Sequence, residues 1–412
     1  MTSNQSLEGI TVIDCSQILA GPFCSMLLAD HGARVIKVEK PNGGDDVRTW
    51  GPPFIGSDSS AFVQLNRNKE SISLDIKEEQ GKKILRKLIK NADVLIENSR
   101  VGTMDKLGFG YQDAKKINSK IIYCSITGFG TDGPYAKRGG FDLIAQGMSG
   151  LMSITGHPDT PPVKVGVPIA DLNTGMFAMQ GILSAYIHRL KKNEGQYLEV
   201  SLLESALAYT MYESSIYFTT GKISTPDGSA HRLTAPYQAF KTKDGYINIG
   251  AANQSNWERL TKVLGMEKLN DNPDFSDSKN RQLNKVKLEE ILEEVFITKS
   301  SKEWISILIE NSIPSGPIYN MEEVWNDEQV RHRNMDVKLD HPKQKNSRNI
   351  GVAVKLSKTP GEIKTPAPLY GEHSKKILKE LGYSIDEIRN LIDSNICGMQ
   401  WFKFYQSNYL IR

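Results

Sequence analysis

The hydrophobic positions of this chain fall into short, β-branched runs separated by stretches of helical period. Residues 10–14 (ITVID), 34–39 (RVIKVE), 71–76 (SISLDI), 92–98 (ADVLIEN) and 120–127 (KIIYCSIT) form such runs. Near-continuous apolar strands alternating with helices predict a parallel sheet covered by helices on both faces. Between the first two runs, AGPFCSMLLADHG places Phe23, Met26 and Leu27 ahead of Gly32, a short helix closed by a C-terminal glycine. In residues 77–90, Ile84, Leu85, Leu88 and Ile89 share one helix face and the lysines occupy the solvated one. A longer helix is predicted over 172–190, where Leu172, Met176, Met179, Leu183, Tyr186 and Leu190 recur at spacings of three and four. Such a stripe is core packing, not a cofactor box.

Further along, the pattern changes. The apolar segment 202–218 is followed by TTGKISTPDGSAH, whose Gly, Ser, Thr and Pro content marks a linker. PYQAFKTKDGYINIG then gives two alternating segments around a Lys-Asp-Gly turn, an antiparallel hairpin signal. Helical runs follow in NWERLTKVLG, NKVKLEEILEEVF and KEWISILIEN. The expected organisation is a large α/β domain beginning over 1–200, a linker helix over 201–225, a small α+β domain over 226–325, and a segment 326–412 that completes the large domain. Within that last segment a helix is expected at EEVWNDEQVRHR, strands near VKLD and VAVKLS, and a helix at GEHSKKILKELG.

Composition narrows the classes of function. The net charge of +3 lacks the basic excess that binding nucleic-acid phosphates requires. With 39% hydrophobic and 24% charged residues the chain is globular, not disordered. Nothing approaches the about 18 uninterrupted apolar residues of a membrane helix. The opening MTSNQSLEG lacks the features of a secretory or transit peptide, so a soluble, cytoplasmic protein is expected; the alternative is a mitochondrial protein with its leader removed. Cys15, Cys24, Cys124 and Cys397 lie far apart, and the histidines sit singly. Buried thiols are therefore expected, with neither disulfides nor a metal site.

A literal G-x-G-x-x-G occurs at Gly128, Gly130 and Gly133. A dinucleotide fingerprint needs a helix to open directly inside the glycines, and here Pro134 and YAKRGG intervene, so a glycine-rich turn is expected instead. Walker, H-E-x-x-H and G-x-S-x-G motifs are absent from the sequence. Asp171, in VGVPIADLNTGMFAMQGILSA, starts the long helix and carries two readings. One is an N-cap. The other is a nucleophile: the positive helix end favours an ionised carboxylate, Gly175 leaves room for a ligand, and a carboxylate activates an acyl group as a mixed anhydride. Basic residues also recur after the early strands, at the sheet edge where open α/β folds bind ligands: Lys40, Lys77, Arg100, Lys106, Lys137 and Arg138. That cluster suits the phosphates of a nucleotide.

These pieces together resemble a known family. LEGITVID, AGPFCSMLLADHGARVIKVEKP, GGDDVRTWGPPF, NRNKESISLDI, ADVLIEN, KLGFGY, IIYCSITGFGTDGP, GFDLIAQGMSGLM, VGVPIADLNTGMFA, APYQAFKTKDGYI, SIPSGPIYNM and GEHSKKIL occur in the order found in the class III CoA-transferases. That resemblance implies a Rossmann-like large domain with a parallel sheet, assembled from both ends of the chain, plus a small domain, in an interlocked homodimer. It implies that Asp171 is the catalytic aspartate, passing through an aspartyl anhydride and an aspartyl-CoA thioester. It further implies that coenzyme A or acyl-CoA binds as substrate, with no permanently bound cofactor, at Ile18, Lys40, Leu74, Asp75, Ile76, Lys77, Asn98, Ser99, Arg100, Lys106, Lys137 and Arg138.

Departures from the family refine the expectation. The common N-F-R-P-G turn is NSRVG here, at Asn98 to Gly102. Phe141 stands where the racemase branch has its catalytic histidine, which removes one acid/base partner for exchange at Cα. Leu19 replaces the glutamine of formyl-CoA transferase, and its glycine-rich lid is not evident after Asp227. GDDVRTWGPPF, IIYCSITGFG, APYQAFKTKDGYI and GPIYNM resemble most the branch that moves CoA between succinyl-CoA and small dicarboxylic acids. The expected activity is thus CoA transfer from a donor, favoured as succinyl-CoA, to a small carboxylic or dicarboxylic acid. The alternatives are an α-methylacyl-CoA racemase and a formyl-CoA:oxalate-type transferase. The aromatic tail CGMQWFKFYQSNYLIR extends beyond the resemblance and is expected to pack or to contact a partner.

Overall fold

The computed structural model describes residues 5–398, so nearly all of the aromatic tail lies outside the described residues. Six parallel strands form the main sheet: β1 (Thr11–Asp14), β2 (Arg34–Glu39), β3 (Lys69–Ser73), β4 (Val94–Glu97), β5 (Ile122–Thr127) and β6 (Tyr197–Ser201). Their order is β3-β2-β1-β4-β5-β6. That is the order of the doubly wound nucleotide-binding sheet, whose ligand crevice opens at the C-terminal ends of the strands where the order reverses, between β1 and β4. Strand β6 escaped the apolar pattern because QYLEVS is an edge strand, buried only at its last residue.

Alternation along the strands divides the core between the two faces of the sheet. Val12, Val94 and Ile122 pack with Cys24 and Leu28 of α1 (Ala20–Asp30) and with Ala178, Ile182 and Ala185 of a long helix. Ile13, Ile36 and Leu95 pack with Ile84, Leu85, Leu88 and Ile89 of α2 (Glu79–Lys90). Met104 of α3 (Thr103–Leu107), Ala114 of α4 (Tyr111–Ile117), and Ile377 and Ile388 from the C-terminal part of the chain complete that second face. The amphipathic pattern of α2 therefore buries the side the sequence indicates.

The chain divides into two compact units. The first holds the main sheet and is built from three stretches: up to Leu151, from Lys164 to Ser215, and from Arg331 onward. The second takes Met152–Val163 together with Ile216–Val330. In it, Tyr237–Lys241, Tyr246–Gly250 and Ser315–Pro317 form an antiparallel sheet over a core containing Phe240, Ile247, Trp257, Phe296 and Trp304. Residues 152–163 are tied into this unit where Gly228 N donates to Gly156 O at 2.9 Å and Arg232 to Ile154 O at 3.1 Å.

One expected strand does not form. The partner of Asp336–His341 is Gln344–Ile350, not VAVKLS. Cross-strand pairing, with Arg348 bonded to Asp336 at 2.9 Å, carries a polar hairpin that hydropathy alone cannot reveal.

The room expected beside Gly175 is also absent. A Cβ there would meet Ala20 O at 2.7 Å and a Phe23 ring carbon at 2.9 Å, so this glycine serves close packing against α1, not ligand approach. Gly175→Ala is expected to destabilise the protein by about 1–3 kcal/mol through overpacking. Thermal denaturation checks this; an unchanged Tm contradicts it.

Candidate functional site

Asp171 lies at the third position of the long helix, α6 (Ile169–Lys192), and is partly buried. It is not the cap. The preceding Pro168 caps nothing through its side chain, and the first-turn N–H groups of Ala170 and Asp171 donate to Asp142 Oδ1 at 2.8 and 3.4 Å. Asp142 opens α5 (Asp142–Met148), and its Oδ2 accepts from Gln146 Nε2 at 2.7 Å. The fully buried Gln146 accepts in turn from Val165 N at 2.9 Å, on the segment entering α6. The glycine-rich turn after β5 places this segment: a Cβ on Gly128 would lie 2.6 Å from Gly140 Cα, so two backbones meet there just before Asp142. Gly128 of the literal G-x-G-x-x-G thus serves chain packing, and Gly130 and Gly133 take the left-handed backbone of the turn.

The electrostatics of Asp171 differ from the expectation at a helix N-terminus. Burial, reinforced by the Asp142 carboxylate, pushes its carboxyl up to about 7. The N–H groups that would stabilise its charge already serve Asp142, which adds a second negative group.

At the C-terminal ends of β1 to β4 a cavity of about 310 Å³ gathers Lys40, Leu74, Asp75, Ile76, Lys77, Asn98 and Ser99. Residues expected separately after three different strands therefore share one space at the point where the sheet order reverses. Asn98 fastens two of the loops around it, accepting from Gln17 N at 2.9 Å and donating to Gln17 O at 2.7 Å. Lys77 N donates to Asp75 Oδ1 at 2.9 Å, which shapes the turn after β3, and Lys40 pairs with Asp46. Arg100 lines a neighbouring cavity of about 380 Å³ with Glu97, Tyr111, Tyr123 and Tyr197. Ile18, Lys106, Lys137 and Arg138 line neither of these. Arg138 instead stacks over Tyr135, 4.6 Å from the ring centre.

Ile18 still has a distinctive place. Its φ of +73° puts a β-branched residue in the left-handed region, a conformation held only where its surroundings enforce it. Its N–H donates to Asp45 Oδ1 at 3.0 Å, and Asp45 is paired with the fully buried Lys37 at 2.8 Å. Asp45, Lys37, Ser16 and Met104 also line the cavity and were missed in the sequence. Lys37 sits inside an apolar-looking strand, and only its unusual presence there was available as a signal.

Among the described residues no group of three or more His, Cys, Asp or Glu is placed to hold a metal ion, and no helix is long and apolar enough to cross a membrane. The four cysteines are free, with Cys24, Cys124 and Cys397 buried.

Comparison with known proteins places this geometry in a family. The profile of CoA-transferase family III matches residues 7–374. The chain belongs to that family. It is therefore an enzyme, a class III CoA-transferase. It is 40% identical over 397 residues to the succinyl-CoA:glutarate CoA-transferase of Homo sapiens, covering 96% of this chain and 91% of that protein. It is 38% identical to the succinate–glutarate CoA-transferase of Agrobacterium fabrum, covering 91% of this chain and 95% of that protein. A CAIB/BAIF family protein from Brucella suis has the same fold, with a TM-score of 0.82 and 36% identity over 92% of this chain and all of that one. In this CoA-transferase the residue beside Asp142 is Phe141, 61% exposed and without a titratable group.

Proposed function

We propose that the enzyme transfers CoA from succinyl-CoA to a small dicarboxylic acid, with glutarate the first candidate, and that Asp171 is its nucleophile. The observation that carries this reading is the cavity at the sheet's reversal point, which collects seven residues matching the family's CoA contacts. The names of its relatives from Homo sapiens and Agrobacterium fabrum support the donor and acceptor.

In the proposed sequence a carboxylate oxygen of Asp171 attacks the thioester carbonyl carbon. The resulting oxyanion collapses, the C–S bond breaks, and CoA thiolate leaves a mixed anhydride. The thiolate then attacks the aspartyl carbonyl, releasing succinate and leaving an aspartyl-CoA thioester. The acceptor carboxylate repeats the two steps in reverse, and Asp171 is restored. No net proton is consumed. CoA is a substrate throughout, and no resident cofactor takes part. The working unit in this proposal is the interlocked homodimer of the family, with a large domain built from both ends of the chain.

Incubation with succinyl-CoA and a panel of acids tests the reading. Formation of glutaryl-CoA and succinate in equal amounts is expected. Transfer to oxalate alone contradicts the acceptor, and deuterium wash-in at Cα of a 2-methylacyl-CoA without any acid contradicts the transferase. Lys77→Ala is expected to raise the KM for succinyl-CoA about tenfold with kcat little changed, since a phosphate contact contributes to ground state and transition state alike. An unchanged KM removes Lys77 from the CoA site.

A further inference from the structure

Asp142 is a second carboxylate beside the proposed nucleophile, and none of the proposed chemical steps uses it. Its placement is over-determined. Oδ1 accepts from two successive N–H groups of the first turn of α6, Oδ2 is held by the buried Gln146, and the chain leading to it is pinned where Gly140 meets Gly128. Twenty-nine residues separate Asp142 from Asp171, so the tertiary fold brings them together.

We propose that Asp142 is a positioning residue for the reaction: it fixes the first turn of α6, and so the Asp171 carboxylate, and it holds a like charge against that carboxylate which acylation relieves. The proposal rests on Asp171 being the nucleophile. When Asp171 bonds to the acyl carbon, the electron pair of the broken C–S bond departs with CoA and the aspartyl group becomes neutral. Repulsion from Asp142 is therefore present before the step and absent after it. A group destabilised in the ground state and relieved in the transition state raises kcat. Burial is the first cause of the raised Asp171 carboxyl, and the same repulsion from Asp142 is the second.

Among the described residues Asp142 is the charged group that acts on the Asp171 carboxyl; on the other elements packed on α6, Glu199 of β6 accepts from the Tyr197 hydroxyl at 3.0 Å. Cys24 of α1 is a buried thiol pushed well above its usual value. Cys124 of β5 is pushed up by burial too. Glu204, on the helix Leu202–Leu207, accepts a hydrogen bond from Ser201 Oγ at 2.6 Å.

The test uses the full chain labelled with [γ-13C]aspartate. In the wild type one carboxyl resonance is expected to titrate near 7, to vanish in Asp171→Asn, and to titrate at least one pH unit lower in Asp142→Asn. The exchange rate of Asp142→Asn above pH 8 is expected to fall about tenfold, the equivalent of one pH unit, with the deficit shrinking as pH falls through 7. Asp142→Ser, which keeps a capping oxygen without the charge, serves if the Asn variant does not fold. An unmoved titration, or a rate deficit equal at all pH values, overturns the proposal. Retention of exchange by Asp171→Asn overturns the nucleophile instead, and the titration separates the two outcomes because it requires no turnover.

Discussion

Asp171→Ala is expected to abolish exchange of labelled succinate into succinyl-CoA, a loss on the order of 10⁴-fold or more, because the proposed covalent carrier of the acyl group is gone. The same change is expected to leave the fold intact. Asp171 does not cap α6, and alanine is a good helix former at its third position. Stability is expected to rise in a defined pH window. The folded carboxyl holds its proton up to about 7, whereas the unfolded one releases it near 3.8. The unfolded state therefore binds fewer protons between those values, and the native protein loses stability as pH rises through them. Removing the group recovers that loss, a few kcal/mol at most, above pH 7 and none of it below pH 3.8. Exchange kinetics with thermal melts at pH 3.5 and pH 8 decide the matter. Retained exchange removes Asp171 from the mechanism, and a lower Tm at pH 8 assigns it a structural role.

The second large effect is expected at Asp14, which is fully buried at the end of β1. Its carboxylate accepts from Lys69 Nζ at 3.2 Å, Ser25 Oγ at 2.5 Å and Ser16 N at 3.0 Å. Burial opposes that charge, but Lys69, Lys37 and the hydrogen bonds from Ser16 and Ser25 together outweigh it and hold the carboxyl down to about 2. Asp14→Ala leaves Lys69 in the interior without its counter-charge, and a loss of about 3–5 kcal/mol is expected. A urea midpoint lowered at constant m measures it. Asp14→Ala combined with Lys69→Met is expected to recover at least half, since an apolar pair replaces an orphaned cation. If the double variant is no better than the single one, the pairing is not the origin of the loss. In the wild type this contribution is present above the ordinary carboxylate value of 3.8 and is lost as pH falls through about 2. The network also reaches the site: Lys69 donates to Pro22 O at 2.9 Å in the first turn of α1, and Lys37 donates to Ser16 O at 2.9 Å on the cavity wall. A weakened network is therefore expected to raise the KM for succinyl-CoA as well.

How far each feature was legible follows from the range of the interaction that makes it. The strands β1, β2, β4 and β5 and the helices α1 and α2 were visible because burial imposes a period on neighbouring residues. The apolar stripe that marks α6 in the sequence is not its core face: Ala178, Ile182 and Ala185 are buried, whereas Met176 and Leu190 are 53% and 70% exposed. The edge strand β6 and the polar hairpin at 336–350 were not visible, because their partners supply what their own composition lacks. The same division runs through the site. Lys40 and Lys77 could be placed after their strands from local pattern and Asn98 from the family resemblance, and their meeting in one cavity follows from the order of parallel strands.

The sequence by itself determined the α/β class, the family and the candidate carboxylate at Asp171, since each rests on residues adjacent in the chain. Only the tertiary structure decided that Asp142 caps α6, that α1 fills the space beside Gly175, and that Arg100 stands in a different cavity from Lys77. Those three facts are contacts between segments far apart in the chain. No periodicity or spacing encodes them, because they depend on which helix lies on which face of a completed sheet.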